Sequence, residues 1–195
     1  MLNQIILASK SGVRKKILKD NKILCSVEPA NVDEESIKEG LLKEKASPES
    51  ISKSLAELKA NKISQRRTGE LVLGADSIID LEGKIISKPS NRKEALKILR
   101  DLNGKTHHLI SSACISRNGS MIWNYSDKAS LTMKQMSEKE LKAYLAKISD
   151  EALYAYNVYQ IEGEGQFLFS KIEGDKDTIM GLPVKKIKDY LNNYK

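Results

Sequence analysis

A chain of 195 residues, 40% hydrophobic and 30% charged, can bury a core without disulfide or metal staples, as one domain or as two small lobes sharing a core. The formal charge of +7, with a pI of about 9.2, comes from lysines scattered through every segment rather than gathered in a basic tail. Aromatic residues make up only 5%, which leaves few stacking platforms for single-stranded nucleic acid, so a small polyanion fits the basic surface better. Cys25 and Cys114 lie far apart without C-x-x-C spacing, which argues against a disulfide framework or a zinc site and predicts two reduced, buried thiols. The opening "MLNQIILASKSG" has no basic leader, and its apolar run is too short for a signal peptide or a membrane span, so a cytoplasmic location is expected.

In chain order, "QIILAS" reads as a short buried strand entering a turn at Ser9 to Gly12, and "VRKKILKD" follows with Val13, Ile17 and Leu18 at helical spacing. A serine-rich turn between strand and helix leaves backbone N–H groups free, which makes it a natural anion seat. "NVDEESIKEGLLKEK" reads as loop plus short helix. Ser47-Pro48 forms an N-cap and first-turn pair for "PESISKSLAELKANKIS", whose inner stripe is expected to be Ile51, Leu55 and Leu58 with Lys59 at its edge. Leu71 to Asp80 and Lys84 to Ser87 predict a hairpin turning at Glu82-Gly83. Asn91 and Glu94 resemble a capping box for a helix burying Ala95, Ile98, Leu99 and Leu102, which Asn103-Gly104 ends. Two long strands joined at Asn118-Gly119 come next, followed by the capped helix "SEKELKAYLAKI", a strand among glycine turns in "YNVYQIEGEGQFLFSKIEG", and a last helix opened by Pro183. Helices and hairpins alternate, which predicts an α/β fold with a mixed, strongly bent sheet and flanking helices.

Stock motifs are absent. There is no G-x-x-x-x-G-K-[ST] loop, no G-x-S-x-G elbow and no His cluster at metal spacing, and Gly163 with Gly165 is too little for a dinucleotide fingerprint. His107 and His108 are adjacent on an expected strand, so their side chains face opposite ways and cannot chelate one ion; a structural role is expected. Asp76 is the anomaly. It sits among apolar residues in "LVLGADSIIDL", where a carboxylate is either a structural hydrogen-bonding group or a chemical one.

Three ordered stretches, "ILASKSGVRKKIL", "LGADSIIDLEGKIISKPSNRKEALKILRDLNGKTH" and "YQIEGEGQFLFSKIEGDKDTIMGLPV", together resemble the Maf family of nucleotide pyrophosphatases, the septum-formation proteins, over nearly the whole chain. The resemblance implies residues 1–195 as one domain with two lobes around a deep cleft. It also implies hydrolysis of nucleoside triphosphates to monophosphate and pyrophosphate, a divalent cation (Mg2+ or Mn2+), and a homodimer. Residue by residue, the family's Ser-x-Ser turn and arginine fall on Ser9, Ser11 and Arg14. The acidic metal residue falls on Glu34, with Asp33 and Glu35 as competing registers, the helix lysine on Lys59, the base that activates water on Asp76, and the Lys-Pro lysine on Lys88.

The chemistry agrees with these residue types. Attack of water at phosphorus needs a positioned base, which Asp76 would supply. The charge building on phosphate oxygens needs cations, here Arg14, Lys59 and Lys88, with a metal held by Glu34 and Asp76. Taken singly, each has an ordinary reading: a surface lysine, a turn-capping aspartate, a solvated acidic face.

The chain departs from the family at three substrate-facing positions: Val13 replaces an arginine, Ser77 follows the aspartate where Thr or Gln is common, and Glu162 stands where pyrimidine-preferring members have Gln. A carboxylate only accepts hydrogen bonds and matches the neighbouring N–H donors of guanine, so Glu162 is expected to select a guanine-type nucleotide, 7-methyl-GTP among them. A competing reading keeps the fold but makes the chain a non-catalytic regulator of division that binds a nucleotide or a protein. Nucleic-acid binding ranks below both.

Overall fold

The computed structural model describes residues 4–194, apart from the side chains of residues 154–156. Its elements are β1 (Ile5–Leu7), α1 (Gly12–Asp20), β2 (Cys25–Val27), α2 (Glu34–Lys43), α3 (Pro48–Ser64), β3 (Leu71–Leu81), β4 (Lys84–Ile86), α4 (Arg92–Leu102), β5 (Thr106–Arg117), β6 (Ser120–Met133), α5 (Glu138–Lys147), α6 (Asp150–Tyr156), a 3-10 turn (Glu164–Leu168), β7 (Phe169–Glu173), α7 (Lys176–Ile179) and α8 (Val184–Asn193). The strands form a seven-stranded sheet in the order β2-β1-β3-β5-β6-β7, with β4 pairing onto β3. β1 is parallel to both β2 and β3, whereas β3–β4 and β6–β7 are antiparallel, so the expected mixed α/β sheet with flanking helices is present.

The chain divides into two compact units. The first comprises residues up to 78, residues 110–128 and those from 175 onward; the second comprises 79–109 and 129–174. In the first, β1 is covered on both faces, which is why it reads as a continuous apolar run instead of an alternation. Ile5 and Leu7 pack with Leu73, with Ile17 and Leu18 of α1 and with Ile187 and Leu191 of α8. Ile6 and Ala8 turn the other way, toward Val72 and Ile63 of α3. The parallel β1–β3 register, Ile5↔Leu71 through Leu7↔Leu73, leaves the turn after β1 and the later residues of β3 beyond the same end of the pairing.

In the second unit, α4 buries Ala95, Ile98, Leu99 and Leu102 as its spacing predicts. Arg92 ties α4 to the end of α5 by donating to the carbonyls of Leu145 and Ile148, 2.7 Å each. The same unit holds a ring cluster in which Tyr159 meets Phe169 edge-on at 4.9 Å and His107 sits 5.6 Å from Tyr159.

Both hairpin turns fall where Gly follows an Asx or Glu residue. Glu82 and Gly83 take φ of 54° and 86°, and Asn118 and Gly119 take 52° and 80°, the paired positive values of a two-residue turn matching strand twist. Ser137 and Glu140 form a full capping box. The box expected at Asn91 is only half formed: Asn91 accepts from the Glu94 N–H at 2.9 Å, but the Glu94 carboxylate takes the N–H and O–H of Ser90 instead.

Three further expectations need correction. Leu58 is 39% exposed, because the buried face of α3 runs through Ile51, Ser52, Leu55, Ala56, Lys59, Ala60 and Ile63. Lys59 is therefore inside the stripe, not at its edge. Cys25 is only half-buried, lying on edge strand β2, whereas Cys114 is buried as expected; both are free thiols. The short helices α6 and α7, capped by Ser149 and Asp175, carry too few turns to show a periodicity.

Candidate active site

The site grows from one close approach. Gly74 on β3 lies so near α3 that a Cβ there would fall 2.1 Å from the Ala56 carbonyl oxygen and 2.7 Å from the Ala60 nitrogen. Ala56 and Ala60, two of the smallest side chains on the helix, leave room for this approach. At that separation Lys59 reaches the strand. Its Nζ donates to Asp76 Oδ1 at 2.8 Å and to the Ala75 carbonyl at 3.5 Å, and it pairs with Glu34 Oε1 at 2.9 Å. The ammonium's three protons thus have three acceptors. Ser52, about two turns before Lys59 on α3, donates to the Asp76 carbonyl at 3.3 Å and fixes the backbone beneath the carboxylate.

Asp76 is only 4% exposed and Lys59 5%, so each needs the other to hold its charge out of water. One carboxylate oxygen, Asp76 Oδ2, is buried and has no hydrogen-bond partner among the described residues. An unspent acceptor beside a buried ion pair is costly for a purely structural group, and it marks Asp76 as the atom set with work left to do. Burial pushes the Glu34 carboxyl up, but Lys59, joined by Lys38 and Arg14, draws it down further, and the net effect is a carboxyl below its usual range.

The three candidate acids separate cleanly. Asp33 is spent as the N-cap of α2, accepting from the Ser36 N–H at 3.2 Å. Glu35 points to Lys38 at 3.8 Å on an exposed face. Glu34 alone turns to Lys59.

The hydroxyls of the serine turn hold Arg14. Ser11 caps α1 by accepting from the Arg14 N–H, and Ser9 Oγ accepts from Arg14 Nη1 at 3.2 Å. Arg14 Nε donates to the Gly181 carbonyl at 2.9 Å and Nη2 to Ser77 Oγ at 3.1 Å. Burial draws the guanidinium's pKa down, while Asp76 and Glu34 pull it back up, which places Arg14 in the electrostatic field of the two carboxylates. Val13, the neighbour that replaces an arginine of the family pattern, is half-buried and packs against the hydrophobic core.

Arg14, Ser9, Ser11, Ser77, Glu34, Lys59 and Asp76 all belong to the first unit. Lys88 and Glu162 belong to the second. Lys88 is exposed two residues past the end of β4, beside buried Pro89. Glu162 is exposed in the tight turn before the 3-10 segment, where Gly165 packs so closely on Gln160 that a Cβ would fall 2.6 Å from its carbonyl oxygen. The histidine pair is structural as expected: His107 Nε2 bonds Tyr159 Oη at 2.8 Å and His108 Nδ1 bonds Ser130 Oγ at 3.0 Å.

No group of three or more His, Cys, Asp or Glu side chains converges among the described residues. Two carboxylates do converge, on Lys59, and Asp76 together with Glu34 offers the hard oxygen donors that a divalent cation takes from a protein while phosphate and water supply the rest. The donor set fits such an ion.

Sequence inspection missed four contributors. Gly74 could have been flagged as a glycine inside an apolar strand, the usual mark of a close backbone approach. Ser52, Ser111 and the Gly181 carbonyl carry no local signal, because each acts on a residue far away in sequence.

A parallel strand–turn–helix thus carries a buried lysine–dicarboxylate cluster with an adjacent serine-held arginine. The model of the Maf-like protein family matches residues 4–194, and the chain belongs to that family. It is 75% identical over 191 residues, 98% of each chain, to the nucleoside triphosphate pyrophosphatase of Pelagibacter ubique (strain HTCC1062). It is 40% identical to the nucleoside triphosphate pyrophosphatase of Caulobacter vibrioides (strain ATCC 19089 / CIP 103742 / CB 15), covering 97% of this chain and 95% of the relative. It is 41% identical over 184 residues to the 7-methyl-GTP pyrophosphatase of Bartonella quintana (strain Toulouse), covering 94% of this chain and 92% of that one.

Proposed function

We propose that this chain is a nucleoside triphosphate pyrophosphatase, a hydrolase that cleaves the anhydride between the α- and β-phosphates and releases a nucleoside monophosphate and pyrophosphate. The observation that carries the reading is the Lys59 bridge between Asp76 and Glu34, with Asp76 Oδ2 left unpartnered in a buried setting. The identities of the relatives named above support the same reaction.

Asp76 is the general base. Lys59 holds its Oδ1, so Oδ2 is the oxygen that accepts the proton of the attacking water. Arg14, with Nε and one N–H of each terminal nitrogen already anchored, has its remaining N–H groups for phosphate oxygens, where preorganised donors in a dry site count for more than in water. Glu34 and Asp76 are the residues that would hold a divalent cation, Mg2+ or Mn2+, which would neutralise phosphate charge and acidify water. Lys88 as a second phosphate clamp, with Ser9, Ser11, Val13 and Ser77 lining the substrate, carries over from the family resemblance. Glu162 reads the base, and its acceptor-only carboxylate favours a guanine-type nucleotide such as 7-methyl-GTP. The natural setting for such an activity is the cytoplasm, where it would remove non-standard nucleotides.

The test is product analysis with the purified protein and Mg2+ across canonical and methylated nucleoside triphosphates. Equimolar monophosphate and pyrophosphate is the expected result, and a Glu162→Gln variant should lower the ratio of guanine-type to uracil-type turnover. Release of orthophosphate and a diphosphate, or no turnover of any nucleotide, would refute the reaction; an unchanged ratio in the variant would refute the role of Glu162 alone.

A further inference from the structure

The hydrogen bonds holding Arg14 lead on to residues that the reaction above does not use. Ser111 on β5 is fully buried, and its Oγ donates to the Thr178 carbonyl at 2.7 Å. A hydroxyl has one proton, so this bond leaves Ser111 Oγ an acceptor toward Ser77 Oγ, 2.9 Å away. Ser77 is then the donor in its 2.9 Å contact with Ser111, and it also donates, at the longer distance of 3.3 Å, to the Gly181 carbonyl. That in turn makes Ser77 the acceptor of Arg14 Nη2 at 3.1 Å. The chain has one direction: Arg14 N–H to Ser77, Ser77 O–H to Ser111, Ser111 O–H to Thr178.

The Thr178 carbonyl also accepts the Gly181 N–H at 3.0 Å, and the Gly181 carbonyl accepts Arg14 Nε at 2.9 Å. Ser111 therefore reaches both sides of the guanidinium, Nη2 through Ser77 and Nε through the Thr178–Gly181 turn. The turn is itself pinned, because Thr178 Oγ1 donates to Asp127 Oδ2 at 2.7 Å. A Cβ on Gly181, whose φ is 104°, would come within 3.0 Å of Ser77 Oγ, so the arrangement has little slack.

We propose that Ser111 is a positioning residue for the reaction: it never meets the nucleotide, but sets the orientation of Arg14 through Ser77 and through the Gly181 carbonyl. This rests on the reading of Arg14 as the phosphate anchor. Misplacing such an anchor by a fraction of an ångström lowers the rate without unfolding the protein.

Kinetics of the full chain with Mg2+ and its best nucleotide substrate test it, using Ser111→Ala, Ser77→Ala, the double variant and Arg14→Ala, each with a urea unfolding curve. Ser111→Ala should lower kcat/KM roughly 10-fold or more. In the Ser77→Ala background the same change should cost clearly less, because residues acting on one group are not additive. Should Ser111→Ala fold poorly, Ser111→Thr and Ser111→Val are nearly equal in size and differ by the hydroxyl; Thr should stay close to the wild-type rate and Val should lose it. Wild-type kcat/KM in Ser111→Ala, full additivity in the double variant, or equal rates for Thr and Val would each overturn the role of Ser111. Wild-type kcat/KM in Arg14→Ala would instead overturn the reading of Arg14 itself.

Discussion

Gly74→Ala is the substitution whose consequence follows most directly from the geometry. The added Cβ would lie 2.1 Å from the Ala56 carbonyl oxygen, 2.7 Å from the Ala60 nitrogen and 3.0 Å from the Ala60 Cβ. Backbone atoms cannot rotate away, so restoring ordinary contact requires α3 and β3 to separate by about 1 Å, a strain that typically costs ~1–3 kcal/mol. The same shift acts on function, because Lys59 rides on α3 and Asp76 on β3, and their 2.8 Å contact would stretch beyond hydrogen-bond range. A displacement of that size at a catalytic group costs on the order of 100-fold in rate. Urea unfolding should show a lower midpoint with an unchanged slope, and kcat/KM should fall even at temperatures where the variant is fully folded. Stability within about 0.5 kcal/mol of the wild type, together with unchanged turnover, would refute the claim that the glycine sets the helix–strand spacing.

Acid should destabilise the protein through His107, whose imidazole is drawn down to about 4 mainly by burial and secondarily by His108. Between the ordinary value near 6.5 and about 4, the unfolded chain binds a proton that the folded chain refuses, so stability falls with falling pH across that window and levels off below it. At ~1.36 kcal/mol per pH unit the loss from this residue is about 3 kcal/mol, read as the difference between wild-type and His107→Gln unfolding curves; parallel curves would refute it. Leu99, fully buried on α4, should cost ~2–5 kcal/mol when cut to Ala, measured as a lowered urea midpoint, and a change below 1 kcal/mol would mean that α4 does not carry the second unit's core as described.

Local chemistry made much of the fold legible. Ser47-Pro48, Ser137 with Glu140, and the Glu82-Gly83 and Asn118-Gly119 pairs each encode a cap or a turn within four residues, and each appears where its chemistry demands. The apolar pattern failed at Leu58 and Lys59 because it weighs hydrophobicity without knowing the neighbour. Lys59 is buried since two carboxylates from other elements meet it, and Leu58 is displaced outward by the small-residue face that packs on Gly74. Asp76 stood out as a charge in an apolar strand, but nothing in "NVDEES" distinguished Glu34 from its acidic neighbours until Asp33 was seen spent on a cap. The serine network around Arg14 links residues 34, 67 and 104 positions apart, and a lone serine in a strand carries no trace of such a partner.

The central claim is that the unpartnered oxygen of Asp76 takes the proton of the attacking water. Asp76→Asn keeps the size of the side chain and an oxygen for Lys59 while removing the base, so the decisive measurement is pyrophosphate release by this variant beside the wild type, with nucleotide binding measured in parallel. The account predicts that the variant still binds nucleotide but releases pyrophosphate at least ~100-fold more slowly. Turnover within a few-fold of the wild type would remove Asp76 from the reaction and leave the Lys59 cluster as a structural ion pair.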